Sequence, residues 1–494
     1  MGYKHTPSTN ARAASTPGSP AAGGTKMLWN GHGIQPVSVA RVHVLPVAAA
    51  GALVALGLTG CSDSLTLPRM SDMNPFHKTE PPLPGKRMPI MDATGSISNT
   101  LAPADRPIIL PPQIAIEAWA QPGGTPSNVA GHATLSAAPK VVWSADAGTG
   151  SSKSGKVTAS PIVYDGRVYT LDANARVTAF AVSGGSSVWR VSLIPDTERK
   201  AGSMWTIGQN NTGGGYGGGI AADNGRLYVA TGYGTLSALD PKTGKVLWTK
   251  NQGAPLRASP TAAGDRVFVV TTDGRAIAVS GSDGTELWTA KGLSEQASLI
   301  ASPSPAVDGD VVVAPFSSGE VLGLKLGTGE QLWNESLTRA KGNTAIGALS
   351  DAARPVMDRG TVFATGHGGR TVALQARNGE RVWGINVAST QAPVVAGDYV
   401  FVVDTGGQLL ALNRRDGQTL WTVKLPDSNT WSGPTLAGGQ LWLVSAKGAL
   451  VGVDGATGRV ASQANVGNAA FIPPIAAGGR LYVLTDNARL VAFQ

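Results

Sequence analysis

Residues 234–250 read GTLSALDPKTGKVLWTK, and residues 274–290 read GRAIAVSGSDGTELWTA in the same frame. Each starts at a turn glycine, runs on in alternating apolar residues, breaks at a second turn glycine and reaches Trp four residues beyond it. Three more stretches keep the frame: GEVLGLKLGTGEQLWNE (319–335), GRTVALQARNGERVWGI (369–385) and GQLLALNRRDGQTLWTV (407–423). A period of two places successive side chains on opposite faces of a strand, and Asp, Asn and Gly at the breaks supply tight turns, so each stretch predicts a hairpin and not a helix pair. The Trp slot is filled by Trp143, Trp189, Trp248, Trp288, Trp333, Trp383 and Trp421, and the frame places Ser462 in an eighth. Successive spacings of 46, 59, 40, 45, 50, 38 and 41 residues each match one four-stranded propeller blade. Short apolar openings such as ASPIV, ASPTA, ASPSPAV, ARPVM and QAPVV supply the remaining inner strand of each unit.

The ends of the repeat predict how it closes. The last unit, IPPIAAGGRLYVLTDNARLVAFQ (472–494), holds three strands and stops where earlier units go on to a Trp strand. Lys140–Ala145, KVVWSA, has the outer-strand pattern with no strands before it. Joining the two completes an eighth blade and leaves no open end for edge-to-edge association. The expected fold is all-β: an eight-bladed β-propeller of four-stranded antiparallel blades over 140–494, its last blade closed by an N-terminal strand. The recurring Trp predicts glue between blades, since one indole buries about 150–250 Å² and carries an N–H that needs an acceptor.

Composition agrees: 65 glycines and 15% charged residues suit short strands and tight turns. The net charge of +8 does not point to nucleic acid. Lys4, Arg12, Lys26 and Arg41 all precede Cys61, leaving 36 basic against 32 acidic residues scattered through turns, without the clustered cations and aromatic platforms of a polyanion binder.

Upstream, Val44–Leu58 is a run of 15 residues without a charge, the length of a signal-peptide core and short of the roughly 20 residues of a membrane-spanning helix. Leu58-Thr59-Gly60-Cys61 follows and resembles a bacterial lipobox, so 1–60 reads as a lipoprotein signal, with Met27 a possible true start, and Cys61 as the lipidated first residue of the mature chain. Multiple acyl chains on one residue give firm anchoring, at roughly 0.8 kcal/mol per buried methylene. Residues 61–117 read as a tether, with ten prolines between Ser62 and Pro112 and too little apolar surface to offset ordering. Residues 118–139, beginning AWAQPGGTPSNVAGH, have more apolar character and are expected to lie against the propeller.

Motifs with catalytic or ligand-binding overtones resolve into turns. Gly213–Gly219, GGGYGGG, lacks the Gly-Lys-Ser/Thr and helix of a phosphate loop and predicts close backbone approach near the propeller axis or a mobile loop. Thr243-Gly244-Lys245 reads as a hairpin turn. Asp308-Gly309-Asp310 lacks the later ligands of a calcium loop. His77, His132 and His367 are too far apart for a zinc site. No metal, cofactor or catalytic residue is called.

The tryptophan frame over eight blades resembles the PQQ-type propeller repeat of quinoprotein dehydrogenases and of several non-enzymatic proteins. The dehydrogenases imply an adjacent Cys-Cys disulfide, a calcium site and a catalytic Asp; this chain has one cysteine. Signal segment, lipobox, tether and eight blades together resemble the BamB family, lipoprotein subunits of the outer-membrane β-barrel assembly machine. That resemblance implies a lipid-anchored scaffold at the outer membrane, facing the periplasm, with BamA, other subunits of the machine and unfolded outer-membrane proteins as partners. It also implies a contact site for the periplasmic domains of BamA: Leu256 and Arg257 in the connector entering the third blade, and Asp351 in the connector entering the fifth. Ala353 stands where a second acidic residue is expected, and Ala254 where a larger apolar one is. The competing reading is that Leu256 only packs and Arg257 only solvates. At the level of the whole chain, the alternative is a PQQ-dependent dehydrogenase-like quinoprotein.

Overall fold

The computed structural model describes residues 108–153, 155–201, 215, 217–293, 304–338 and 351–494. Cys61, the signal segment with Met27, His77 and the tether as far as residue 107 lie outside the described residues.

Eight sheets of four antiparallel strands follow one another around the ring. Blade 1 comprises Ile162–Tyr164, Arg167–Leu171, Arg176–Ala181 and Ser187–Ser192, ordered from the axis outward. The inner strands of blades 2 to 8 are Gly218–Asp223, Thr261–Ala263, Ala306–Asp308, Val356–Asp358, Val394–Ala396, Trp431–Ala437 and Ile475–Ala477. Blade 8 is completed by Val141–Asp146, which pairs antiparallel with Arg489–Phe493 and sets Trp143 opposite Ala492. Lys140 and Gln494 exchange backbone hydrogen bonds of 2.8 and 2.9 Å at this seam. The predicted fold and its closure are both present.

The core lies between blades. In the second strand of blade 2, Leu227 and Val229 pack with blade 1 while Tyr228 and Ala230 pack with blade 3. One strand on, Val267 and Val269 face blade 2, and Phe268 and Val270 face blade 4. Both faces of these strands are therefore apolar, and alternation decides which neighbour a side chain meets. Outer strands differ: Val188, Leu247, Leu287 and Val382 are exposed.

At the outer strand each Trp joins two blades. Trp189 leans on Tyr169 of its own blade at 5.8 Å, and its Nε1 donates to the Pro241 carbonyl of the next blade at 3.0 Å. The pattern repeats from Trp143 to Val182, Trp248 to Gly281, Trp288 to Leu326, Trp333 to Ala376 and Trp383 to Arg414. Under each ring lies the turn glycine of the following blade. A Cβ on Gly329 would sit 2.6 Å from Trp288, and one on Gly458 2.8 Å from Trp421. These glycines also have φ near +70°, so glycine is required twice over. A β-bulge interrupts the register beside each Trp and adds the local twist that turns the ring toward its neighbour.

Ser462 in the eighth slot now has a reason. A Trp in blade 7 would rest on the third-to-outer turn of blade 8, and that turn is the seam between chain ends. Ala137, on its way into the ring, occupies the place: its carbonyl accepts from Ser462 Oγ at 3.2 Å and Gln440 Nε2 at 2.7 Å.

The segment before the propeller is built into it, and the docked chain starts earlier than residue 118. Ile108 and Leu110 pack into the cluster between blades 6 and 7, and Ile114 and Thr134 are joined by backbone hydrogen bonding. This moves residues 108–117 from the expected tether to the globular body. Ile108, Leu110 and Ile116 find apolar clusters despite the prolines, while Ile109 and Ile114 stay exposed.

Candidate functional site

An eight-bladed ring leaves the inner strands with one unpaired edge each, facing the axis. Unsatisfied backbone groups there would be costly. Residues 116–133 bond to the inner-strand region of seven blades as they circle the axis and meet blade 6 by packing. Trp119 and Val163 exchange backbone hydrogen bonds in blade 1, and Ala222 donates to Ala120 in blade 2. In blade 3 a side chain imitates a strand: Gln121 Nε2 donates to the Ala262 carbonyl at 2.7 Å, and its Oε1 accepts from the Ala262 N–H at 3.1 Å. Val307 donates to Pro126 in blade 4, Met357 to Ser127 in blade 5, Gly438 to Ala133 in blade 7 and Gly478 to Ile116 in blade 8. Val129 packs on the blade 5–6 cluster. Asn128 Nδ2 donates to the carbonyls of Pro305 and Pro355, tying blades 4 and 5. His132 is buried within this plug, Nδ1 at 2.7 Å from the Pro111 carbonyl and Nε2 accepting from the Gly439 N–H at 2.9 Å.

The plug lines a small void at the axis through Trp119, Pro122 and Asn128. Beside it lies a cavity of about 450 Å³, lined by Pro122 of the plug and by residues just ahead of the inner strands, among them Ser160, Ser259, Arg354, Gln391 and Pro473. The connectors holding the sequence-predicted contact residues run directly into its rim, since Ser259 follows Arg257 by two positions and Arg354 follows Asp351 by three.

The three residues differ in access. Leu256 is fully buried between blades 2 and 3, and its N–H donates to the Thr231 carbonyl. Arg257 is half-buried, and its carbonyl accepts from the Gly218 N–H at 3.1 Å. Asp351 is buried at 5% exposure, and its carbonyl accepts from the His367 N–H at 3.0 Å. Arg257 alone of the three offers its side chain to an approaching surface. Leu256 sets the position of the connector instead. Residues 348–350 of the second connector lie outside the described residues.

The remaining motifs are structural where they are described. Gly217 and Gly218 have φ of +96° and +103°, and a Cβ on Gly219 would fall 1.8 Å from Ser259 Oγ, the close approach that is one of the two readings of the glycine run. Residues 213, 214 and 216 of that run lie outside the described residues. Asp308 ends an inner strand and Gly309 turns the chain at φ +58°. Among the described residues no three His, Cys, Asp or Glu side chains are grouped to hold a metal ion.

Arg354 was not singled out by the sequence reading, although a signal is present. In the openings ASPIV, ASPTA and ARPVM the residue before proline is Ser160, Ser259 and Arg354, so one blade carries a cation where two others carry a hydroxyl. Its Nε is buried and has no hydrogen-bond partner, and burial pulls its pKa down to about 10.

Against known proteins, the family profile described as outer membrane protein assembly factor BamB matches residues 173–423 and 405–494. An uncharacterized protein of Rickettsia prowazekii is 30% identical over 192 residues, 39% of this chain and 43% of its own length. Outer membrane protein assembly factor BamB of Burkholderia pseudomallei is 27% identical over 211 residues, 42% of this chain and 49% of its own length. The chain thus spans less than half the length of these relatives. In three dimensions, BamB of Moraxella catarrhalis superposes with a TM-score of 0.60 at 20% identity, covering 72% of this chain and 99% of that one. Quinohemoprotein alcohol dehydrogenase of Comamonas testosteroni gives 0.60 at 14% identity over 76% and 80%, so the solved structures speak to the fold alone. The profile covers most of the propeller, and the chain belongs to the family of outer membrane protein assembly factor BamB.

Proposed function

We propose that this protein is a non-enzymatic scaffold of the outer-membrane β-barrel assembly machinery, lipid-anchored through Cys61 to the outer membrane and facing the periplasm. It docks on the periplasmic domains of BamA beside other subunits and aids insertion of β-barrel proteins. The observation that carries the reading is the arrangement of the connector face, where a backbone locked from both sides presents Arg257 on a rigid rim in a chain of the BamB family. Leu256 and Asp351 act from beneath, by fixing the two connectors. Outer strands with exposed Val188, Leu247 and Leu287 offer unfolded outer-membrane proteins an edge for strand addition.

Arg257→Glu reverses the charge at the rim without touching the buried leucine. It is expected to abolish co-purification with BamA while leaving the circular dichroism spectrum unchanged; undiminished co-purification removes Arg257 from the interface. A quinoprotein reading draws on a likeness in sequence, 30% identity over 131 residues to quinoprotein ethanol dehydrogenase of Pseudomonas aeruginosa, 22% of this chain. Incubation with PQQ and calcium followed by a dye-linked oxidation assay separates the two, and reproducible turnover overturns the scaffold reading.

A further inference from the structure

We infer that His132 is a proton-operated latch: its neutral ring docks the strap 108–114 on blades 6 and 7, and protonation releases that strap and lengthens the tether. This goes beyond docking at the rim and belongs to the opposite face. The strap meets Gly397 and Gly439, in turns from first to second strands, and Ala456, in a turn from third to outer strand. Arg257 and Asp351 sit instead in connectors from an outer strand to the next inner one. Antiparallel pairing puts these two sets of turns at opposite ends of each blade.

Backbone groups hold the imidazole at both nitrogens. Nδ1 lies 2.7 Å from the Pro111 carbonyl, which can only accept, so this nitrogen carries the hydrogen. Nε2 lies 2.9 Å from the Gly439 N–H, which can only donate, so this nitrogen presents its lone pair. The neutral ring with its hydrogen on Nδ1 satisfies both partners, and the doubly protonated ring cannot. A proton on Nε2 sets two N–H groups against each other at a buried position, with no acceptor between them. The main chain of His132 holds the strap as well, its carbonyl accepting from the Ile114 N–H at 2.8 Å. Further support is slight. Ile108 donates to the Ala456 carbonyl at 3.1 Å and Ile109 to the Tyr399 hydroxyl at 3.2 Å, while Ile109 and Ile114 gain nothing from burial because their side chains are exposed.

The elements packed around the ring supply no counter-charge to it. Blade 6 brings Asp398 and Tyr399, blade 7 brings Asp454 and Arg459, and the plug brings Glu117. Asp398, Arg459 and Glu117 are exposed. Tyr399 is engaged with Ile109, and Asp454 Oδ1 accepts from the Ala456 and Thr457 N–H groups and from Thr457 Oγ1. A released imidazole in water takes up its second proton near the ordinary value of about 6.5. The released form therefore binds more protons than the docked one, so docking is complete above that value and weakens as pH falls below it. Seven freed residues add roughly 23 Å to the reach of the chain toward Cys61.

The test is amide hydrogen exchange of the full chain at about pH 7.5 and about pH 5, corrected for the intrinsic effect of pH and read at Ile108, Ile109 and Ile114. In the parent, protection of these amides is expected to fall at least about tenfold at the lower pH, while that of the blade 3 strand Arg266–Val270 holds. His132→Gln offers an amide donor to Pro111 and an amide oxygen to Gly439, as Gln121 does at Ala262, and does not titrate. Its strap should stay protected at both pH values, and that of His132→Ala at neither. The nitrogen-15 shifts of the parent ring at about pH 7.5 need no variant to fold, and should show the hydrogen on Nδ1. The inference is overturned if the parent strap keeps its protection at the lower pH, if H132Q loses protection with pH as the parent does, or if H132A stays protected. Loss that extends equally to Arg266–Val270, or a neutral ring with its hydrogen on Nε2, overturns it too.

Discussion

Trp288 is held on three sides. Phe268 of its own blade lies 5.8 Å away, the Leu326 carbonyl of the next blade accepts its N–H at 2.9 Å, and Gly329 passes beneath with no room for a Cβ. Truncating it removes a blade-to-blade joint, so Trp288→Ala should lower stability by about 3–5 kcal/mol in urea unfolding; a barely altered midpoint would disprove the joint. Gly329→Ala attacks the same joint from below, by overpacking at a positive φ, and is expected to cost about 1–3 kcal/mol. Turn carboxylates act at the same scale through pH. Asp283 accepts from the Thr285 N–H at 3.0 Å and Oγ1 at 2.7 Å, and these bonds hold its pKa down at about 2. In the unfolded chain it titrates near the ordinary value of about 3.9. Its contribution is therefore complete above that value and is lost as pH falls toward 2. Asp283→Asn should lose less stability than the parent between pH 4 and 2. A carboxyl titration by NMR with its midpoint near 4 would contradict this.

At the scale of elements, the plug and the blades follow different rules of legibility. Blades were readable because each repeats one local frame: turn glycine, alternating strand, second glycine, Trp. Even the seam was readable, since a missing strand at residue 494 matches a surplus one at Lys140. Nothing comparable marks 108–139. Its bonds to the inner strands come from backbone groups of an irregular chain, and at blade 3 from the Gln121 amide, a residue whose type says nothing about a ladder. The buried state of Leu256 was illegible for another reason. The Leu-Arg pair was carried by family resemblance, which transfers identities but not exposure, whereas the apolar cluster around Tyr228 and Val267 decides which of the two faces outward. The Gln121 substitution tests the plug as an element. Gln121→Ala leaves the Ala262 N–H and carbonyl without partners at a buried site, a loss of about 1–3 kcal/mol. Amide exchange should quicken at Ala262 in particular, and an unchanged exchange rate there would show that the inner strand does not depend on the plug.

For the molecule as a whole, the combination of ring and plug bears on cooperativity. Open repeat arrays behave as chains of nearest neighbours, whose stability is a sum of units and interfaces and whose ends can fray separately. Here two features work against that independence. The Lys140–Gln494 and Val141–Phe493 pairing closes the ring, so losing any one blade also breaks two interfaces and leaves an opened circle. The plug then links distant blades to one another: Asn128 ties blades 4 and 5, while the same short segment reaches blade 1 through Trp119 and blade 8 through Ile116. A blade that unfolds must release a segment on which all the others rely. Urea unfolding followed by tryptophan fluorescence, to which the outer-strand tryptophans contribute alongside Trp119 of the plug and Trp431 and Trp442 of blade 7, and by far-ultraviolet circular dichroism, which reports every strand, is therefore expected to give coincident transitions in the parent protein. Combining Gln121→Ala with Asn128→Ala removes the plug's side-chain bonds to blades 3, 4 and 5 and leaves its backbone bonds, the seam and the tryptophans in place. The two transitions should then separate, with blades on that side losing structure first. Coincident curves in the double variant would assign the cooperativity to ring closure alone, and separate curves in the parent would mean that neither feature couples the blades.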